Sequence, residues 1–202
     1  MKFKLFLVSI FICLFTSIAI AGYYEDVNVI IENLTTNEMG AGTLVSENII
    51  VSCGHLITRN DDFLFVLQDG IYYPITVLKR YEEYDLSILY VEHHQFNTFS
   101  MILNRRLKRG ENIVAVGNPL GFEDSITEGR ILAYGFSKWK NYICHSAKIA
   151  PGNSGGGLFW NRFLIGVNIA YFDNFEGYYI AESIIPIIND IQKYIKEYEA
   201  NR

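Results

Sequence analysis

The chain has 202 residues, of which half are hydrophobic and 15% aromatic, with four prolines and a net charge of −5. That composition supports a sizeable buried core and excludes a disordered or low-complexity chain. The acidic balance argues against nucleic acid or an anionic membrane as the main partner.

The first residues read as a targeting segment outside the fold. Lys2 and Lys4 make a short basic region, and the apolar run 5–18 is broken only by Ser9, Thr16 and Ser17. Ala19-Ile20-Ala21 then offers a small-residue cleavage site before Gly22, so residues 1–21 read as a secretory signal peptide. A retained anchor is the competing reading, disfavoured because the run is short for a span of about 20 residues. Residues 1–21 hold two lysines and no acid, so the remainder has 15 Lys plus Arg against 22 Asp plus Glu, a net charge of −7. The mature chain is expected to be secreted or periplasmic, without stable membrane association. Asn33-Leu34-Thr35 is a glycosylation acceptor if export follows a eukaryotic route.

Residues 40–57 read as two β-rich segments joined by a polar turn at 46–48. A small-residue step, Cys53 and Gly54, then leaves room for packing beneath His55. Asp85 stands at the start of a strand with alternating apolar positions. His93 and His94 fall in a polar stretch, 92–97, read as a solvated loop. A metal site drawn from Cys53, Cys144, His145 and this pair is disfavoured, because the cysteines are single and widely separated. No metal and no cofactor is expected.

Ala150-Pro151-Gly152-Asn153-Ser154-Gly155-Gly156-Gly157-Leu158 sets a serine among glycines. Glycine lets the backbone turn tightly and approach a ligand, and amides without neighbouring side chains suit an oxyanion. Gly152 to Gly156 also satisfies the G-x-S-x-G elbow of α/β-hydrolases, whose histidine follows the serine. Here all four histidines precede Ser154, which excludes the elbow. Histidine first, aspartate second and serine last is the order of chymotrypsin-like enzymes, and His55, Asp85 and Ser154 supply it.

Five blocks in this order resemble the trypsin-like serine proteases, and most of all their HtrA/Deg branch. They are residues 40–55, 85–89, 113–131 (with Gly117-Asn118-Pro119), 152–158 and 164–170. The resemblance runs from about residue 27 to the C-terminus. It implies an all-β fold of two six-stranded antiparallel barrels with a C-terminal helix, residues 22–202 forming one protease domain with its site between the barrels. It implies a serine endopeptidase acting on protein or peptide through an acyl-enzyme, with Ser154 as nucleophile, His55 as base and Asp85 orienting it. Gly152 and Ser154 would supply the oxyanion hole. A catalytically silent binding module and an esterase on the same scaffold are the alternatives. Segments 145–151 and 168–171 would line the substrate pocket, naming Lys148, Asn168 and Ala170. Lys148 holds the floor position, where a cation favours an acidic substrate side chain; the plainer reading turns it to solvent or to Asp173.

Three departures carry consequences. Gly157 replaces a proline, Ile169 replaces a hydroxyl residue that often bonds the aspartate, and Asn153 replaces the aspartate of a zymogen salt bridge, so activation by N-terminal clipping is not expected. Export permits a disulfide between Cys53 and Cys144, but the resemblance puts them in separate barrels, and two free, buried thiols are the expectation. Apolar residues at 184, 187, 188, 191, 194 and 195 have helical spacing and resemble the helix that closes the HtrA domain and packs on its second barrel. Too few residues follow it for a PDZ domain, so none is expected. The sequence does not disclose the oligomeric state.

Overall fold

The structure is a computed structural model that describes residues 22–58, 64–68, 70–119, 122, 125–135, 137–171 and 177–200. Residues 1–21, expected to be a signal segment, and Asp173 lie outside the described residues.

Strands β1 (Asn28–Asn33), β2 (Glu38–Leu44), β3 (Ile49–Cys53), β4 (Leu64–Gln68), β5 (Ile71–Tyr81) and β6 (Leu86–Val91) close an antiparallel barrel in the order β1-β2-β3-β6-β5-β4. After β7 (Met101–Ile102) come β8 (Asn112–Gly117), β9 (Ser125–Tyr134), β10 (Tyr142–His145), β11 (Gly157–Trp160), β12 (Phe163–Tyr171) and β13 (Tyr179–Ser183). These run β11-β8-β9-β10-β13-β12, and pairing of β11 with β12 closes a second six-stranded ring, to which β7 adds in parallel. The expected all-β double barrel is therefore the fold.

β-branched and leucine side chains account for the strands. Ile31, Leu44, Ile49, Ile50, Val51, Leu86, Ile88 and Leu89 are fully buried in the first barrel. Ile113, Ala115, Ile131, Ile143, Leu158 and Ala181 fill the second. Each large side chain withdrawn from water contributes about 1.5–3 kcal/mol against chain entropy. The turn expected at 46–48 joins β2 to β3, which pair through Thr43–Val51 and Leu44–Ile50.

The C-terminal helix differs from expectation in start and seat. It runs Ile188–Glu199 behind a 3-10 turn, Ile185–Ile187, that contains Pro186. Proline is tolerated only in the first turn of a helix, which delays the α-helical start. The helix packs on the first barrel, not the second. Ile188 and Ile191 join that barrel's core, and Asp190 accepts from Lys79 Nζ (2.6 Å) and the Tyr81 hydroxyl on β5. Tyr194 donates to the Leu78 carbonyl (3.3 Å), and the Tyr198 ring lies 4.3 Å from that of Tyr90. The long β5 offers aromatic and cationic side chains that match the helix's Ile, Tyr and Asp.

Asn33 is corrected too. Its side chain is buried, donating to the Leu56 carbonyl (2.9 Å) and accepting from the Thr35 amide (3.0 Å), so no glycan can reach it. Cys53 is buried and Cys144 half-buried, and both are free. Among the described residues no helix is long and apolar enough to cross a membrane.

Candidate active site

The β3–β6 ladder delivers the first two residues. Cys53 pairs with Leu86 at its end, so His55 lies two residues past one strand and Asp85 one residue before the other. Gly54 N donates to Asp85 O at 2.8 Å, and a side chain at Gly54 would press on Asp85. Asp85 has a left-handed backbone, φ 49°, which aspartate tolerates better than most residues. That conformation turns its carboxylate back on His55. Oδ1 accepts from the His55 amide at 2.7 Å, and Oδ2 meets His55 Nδ1 at 2.7 Å.

The other ring nitrogen, Nε2, lies 3.5 Å from the Cys53 thiol and is not bonded to the Ser154 hydroxyl. The Asp85 hydrogen bond, then that of Cys53, outweighs burial and raises the His55 pKa to about 10. Both contacts therefore favour the protonated ring. The small-residue step read as packing room thus holds a polar contact as well.

Ser154 comes from the second barrel. Its carbonyl accepts from the Ala41 amide at 2.8 Å. A side chain at Gly40 would meet both that carbonyl and Leu56, the residue after His55. Ser154 thus lies against β2, next to the segment that carries the histidine. Gly152 and Gly155 adopt φ 99° and 89°, and a methyl on Gly155 would strike the Ala41 carbonyl and Ser52. These are the two glycines that the turn itself requires.

The amides of Asn153, Gly155 and Gly156 donate within the fold, to the carbonyls of Ala150 (3.0 Å), Asn168 (2.9 Å) and Asn153 (3.0 Å). Those of Gly152 and Ser154 donate to no backbone acceptor among the described residues. Asn153 is buried, and its Oδ1 accepts from the Ala150 amide at 3.2 Å, so the loop is braced from within. Asn118 bridges the barrels: it accepts from Asn28 Nδ2 at 2.9 Å, donates to Val29 O at 3.3 Å, and its amide donates to Gly152 O at 3.3 Å. The sequence matched this asparagine without assigning it a task.

The pocket residues fall differently. Lys148 is exposed, and its carbonyl accepts from Thr127 Oγ1 at 2.7 Å. The Asn168 side chain is fully buried, its Nδ2 donating to the carbonyls of Val116 (3.1 Å) and Gly157 (3.3 Å). It braces the serine loop and presents no side chain to a pocket. Ala170 lies on β12 opposite Ile180. Ile169 packs among the apolar residues of the first core and brings no donor.

Of the remaining histidines, His94 stacks on Tyr73 at 4.1 Å rather than standing in a plain solvated loop. His145 is fully buried, which holds its pKa down to about 4. Among the described residues no three His, Cys, Asp or Glu are arranged to hold a metal. The sequence also passed over Glu182. It is buried on β13, and burial, then the charge of Asp85, pushes its pKa up to about 8. A single acid in the apolar run 179–188 was the available signal.

Two antiparallel barrels, a bonded His–Asp pair from one and a serine set among glycines from the other define a chymotrypsin-type hydrolase scaffold. Residues 40–164 match the family described as Trypsin-like peptidase domain, and the chain belongs to that family. A probable periplasmic serine endoprotease, DegP-like, of Chlamydia pneumoniae is 33% identical over 146 residues, 69% of this chain and 30% of that protein. One of the same description from Hahella chejuensis is 30% identical over 154 residues, 73% of this chain and 33% of that protein. The chain spans about a third of the length of these curated relatives. The crystal structure of the serine endoprotease from Yersinia pestis superposes with a TM-score of 0.74 at 25% identity, covering 86% of this chain and 64% of that one. An HtrA-type protease solved with a tripeptide gives a TM-score of 0.76 over 86% of this chain and 62% of its own. At 22% identity it supports the fold alone.

Proposed function

We propose that residues 22–202 form a serine endopeptidase domain that hydrolyses protein or peptide substrates through Ser154, His55 and Asp85. The observation that carries this is the His55–Asp85 pair beside a serine loop whose Gly152 and Ser154 amides have no backbone acceptor among the described residues. A serine hydroxyl is a weak nucleophile, so His55, once neutral, takes its proton as Oγ attacks the carbonyl and returns it to the leaving amine. Asp85 holds the Nδ1–H tautomer and stabilises the imidazolium. The two amides receive the oxyanion, each worth roughly a hundredfold or more in rate. Water then hydrolyses the acyl-enzyme on Ser154. Lys148 and the β12 backbone at Ala170 flank the substrate residue before the scissile bond; Asn168 serves by bracing the loop. The periplasmic relatives support export, directed by residues 1–21.

The test is reaction of the folded chain, freed of residues 1–21, with a fluorophosphonate probe, beside Ser154→Ala. Labelling is expected in the wild type and not in the variant, whose kcat on peptides falls on the order of 10⁶-fold. A folded wild type that never labels would establish the silent binding module instead. Labelling with ester turnover and no peptide turnover would establish an esterase.

A further inference from the structure

Among the described residues, both hydrogen bonds to the Asp85 carboxylate come from one residue, His55. The structure offers a second group for it on the adjoining strand. Along β13, Tyr179 and Ala181 belong to the core of the second barrel, so strand alternation turns Glu182 to that barrel's outer face. Glu182 pairs with Tyr142 on β10 and Val167 on β12, and cross-strand partners share a face. Val167 packs in a core cluster shared by the two barrels that includes Cys53 and Leu86, the neighbours of the His55–Asp85 pair, and β12 packs against β3, so this row of side chains faces the barrel that carries Asp85.

Glu182 is 1% exposed, and its Oε2 has no hydrogen-bond partner among the described residues. A buried carboxyl in that condition is costly when ionised and favours its neutral, donor-bearing form. Tyr142, raised first by burial, also feels the charges of Glu182 and Asp85. Tyr84, raised first by its bond to Glu83, feels Glu182 too. Tyr142 stands beside Glu182 in the sheet, and Asp85, Tyr84 and Tyr142 are the titratable groups among the described residues whose charges couple to it.

We propose that Glu182 is a positioning residue for Asp85: as a neutral acid it turns its O–H toward the carboxylate, leaving one negative charge behind His55, aimed at Nδ1. The proposal rests on the peptidase reading above. When Glu182 ionises, a second negative charge arrives behind Asp85 and binds the His55 proton more firmly, because like charges so placed favour a nearby cation. The base is then less available than its own titration alone would make it.

Two variants separate the roles. Glu182→Gln keeps a neutral donor of nearly the same size, whereas Glu182→Leu keeps the burial and removes the donor. The leucine variant is expected to lose about tenfold in kcat, one charge-assisted hydrogen bond, with KM within about twofold. Glutamine restores most of that loss. In the Ser154→Ala background, the NMR shift of the His55 Nδ1–H proton should show an inflection near pH 8 that glutamine abolishes, matching the Glu182 pKa of about 8. A leucine variant with wild-type kcat and pH profile overturns the proposal, as does an inflection that survives in glutamine. If leucine prevents folding, the glutamine titration decides. A wild type that never labels with fluorophosphonate but shows the inflection ends the peptidase reading and leaves the Glu182–Asp85 coupling standing.

Discussion

As the proposed general base, His55 carries two opposed demands. The Asp85 bond orients the ring but also stabilises its proton, and the thiol of Cys53 adds to that. A general base works only when neutral, so the activity governed by His55 should rise with pH through the neutral range and beyond it. Removing the thiol removes one cause of the elevation. Cys53→Ala is therefore expected to move the acid limb of kcat/KM to lower pH by roughly 0.7 of a unit, the equivalent of a hydrogen bond of roughly 1 kcal/mol. A pH–rate profile from 6 to 10 checks this. A limb that stays put or moves upward would show that the Sγ···Nε2 contact does not govern the base.

At the scale of elements, the serine loop is held by its fit against β2, β3 and β12 more than by local propensity. Gly155 lies where the loop backbone meets Ala41 and Ser52, in a left-handed conformation. Gly155→Ala therefore meets backbone strain and a steric clash at once. We expect a loss of at least about 2 kcal/mol in urea unfolding, combining the cost of alanine at positive φ with overpacking. Gly70 supplies the control, with φ 75° and open space around it. Gly70→Ala should lose roughly 1 kcal/mol, the strain alone. Equal losses at the two sites would mean that contact with β2 and β3 does not hold the loop.

For the molecule as a whole, stability and activity should have opposite pH slopes. Glu182 has its pKa raised from 4.5 to about 8, so the folded state keeps a proton that the unfolded chain releases; the associated stability is present below 4.5 and lost as pH rises through 8. His55, raised from 6.5 to about 10, behaves alike: its contribution is full below 6.5 and lost through 10. Buried His145, lowered to about 4, acts on the acid side, where the unfolded chain gains a proton from 6.5 downward. Thermal unfolding should therefore be highest at about pH 4.5–6.5 and fall most steeply between about 6.5 and 8, where Glu182 and His55 act together. A melting temperature that climbs from pH 6.5 to 8 contradicts this. The conditions that free the base are those that loosen the fold.

The sequence by itself determined the class. Ordered blocks singled out His55, Asp85 and Ser154, and their resemblance to the trypsin-like family carried the double barrel, whereas strand alternation and polar turns marked individual strands, because those signals are local in the chain. Tertiary structure decided the rest. The helix pattern at 184–195 shows an apolar stripe but cannot say which barrel covers it; that depended on Lys79, Tyr81 and Tyr90, which lie roughly a hundred residues away. Asn33 read as an acceptor and Asn168 as a pocket wall, yet each is buried against carbonyls of distant segments. Cys53 looked like packing room, and Glu182 passed unnoticed, since a lone acid acquires meaning only when a fold removes its water and sets another carboxylate near it. Residue type announces which chemistry is available. Burial and neighbours, assembled across the two barrels, decide what protonation state and which partner that chemistry receives.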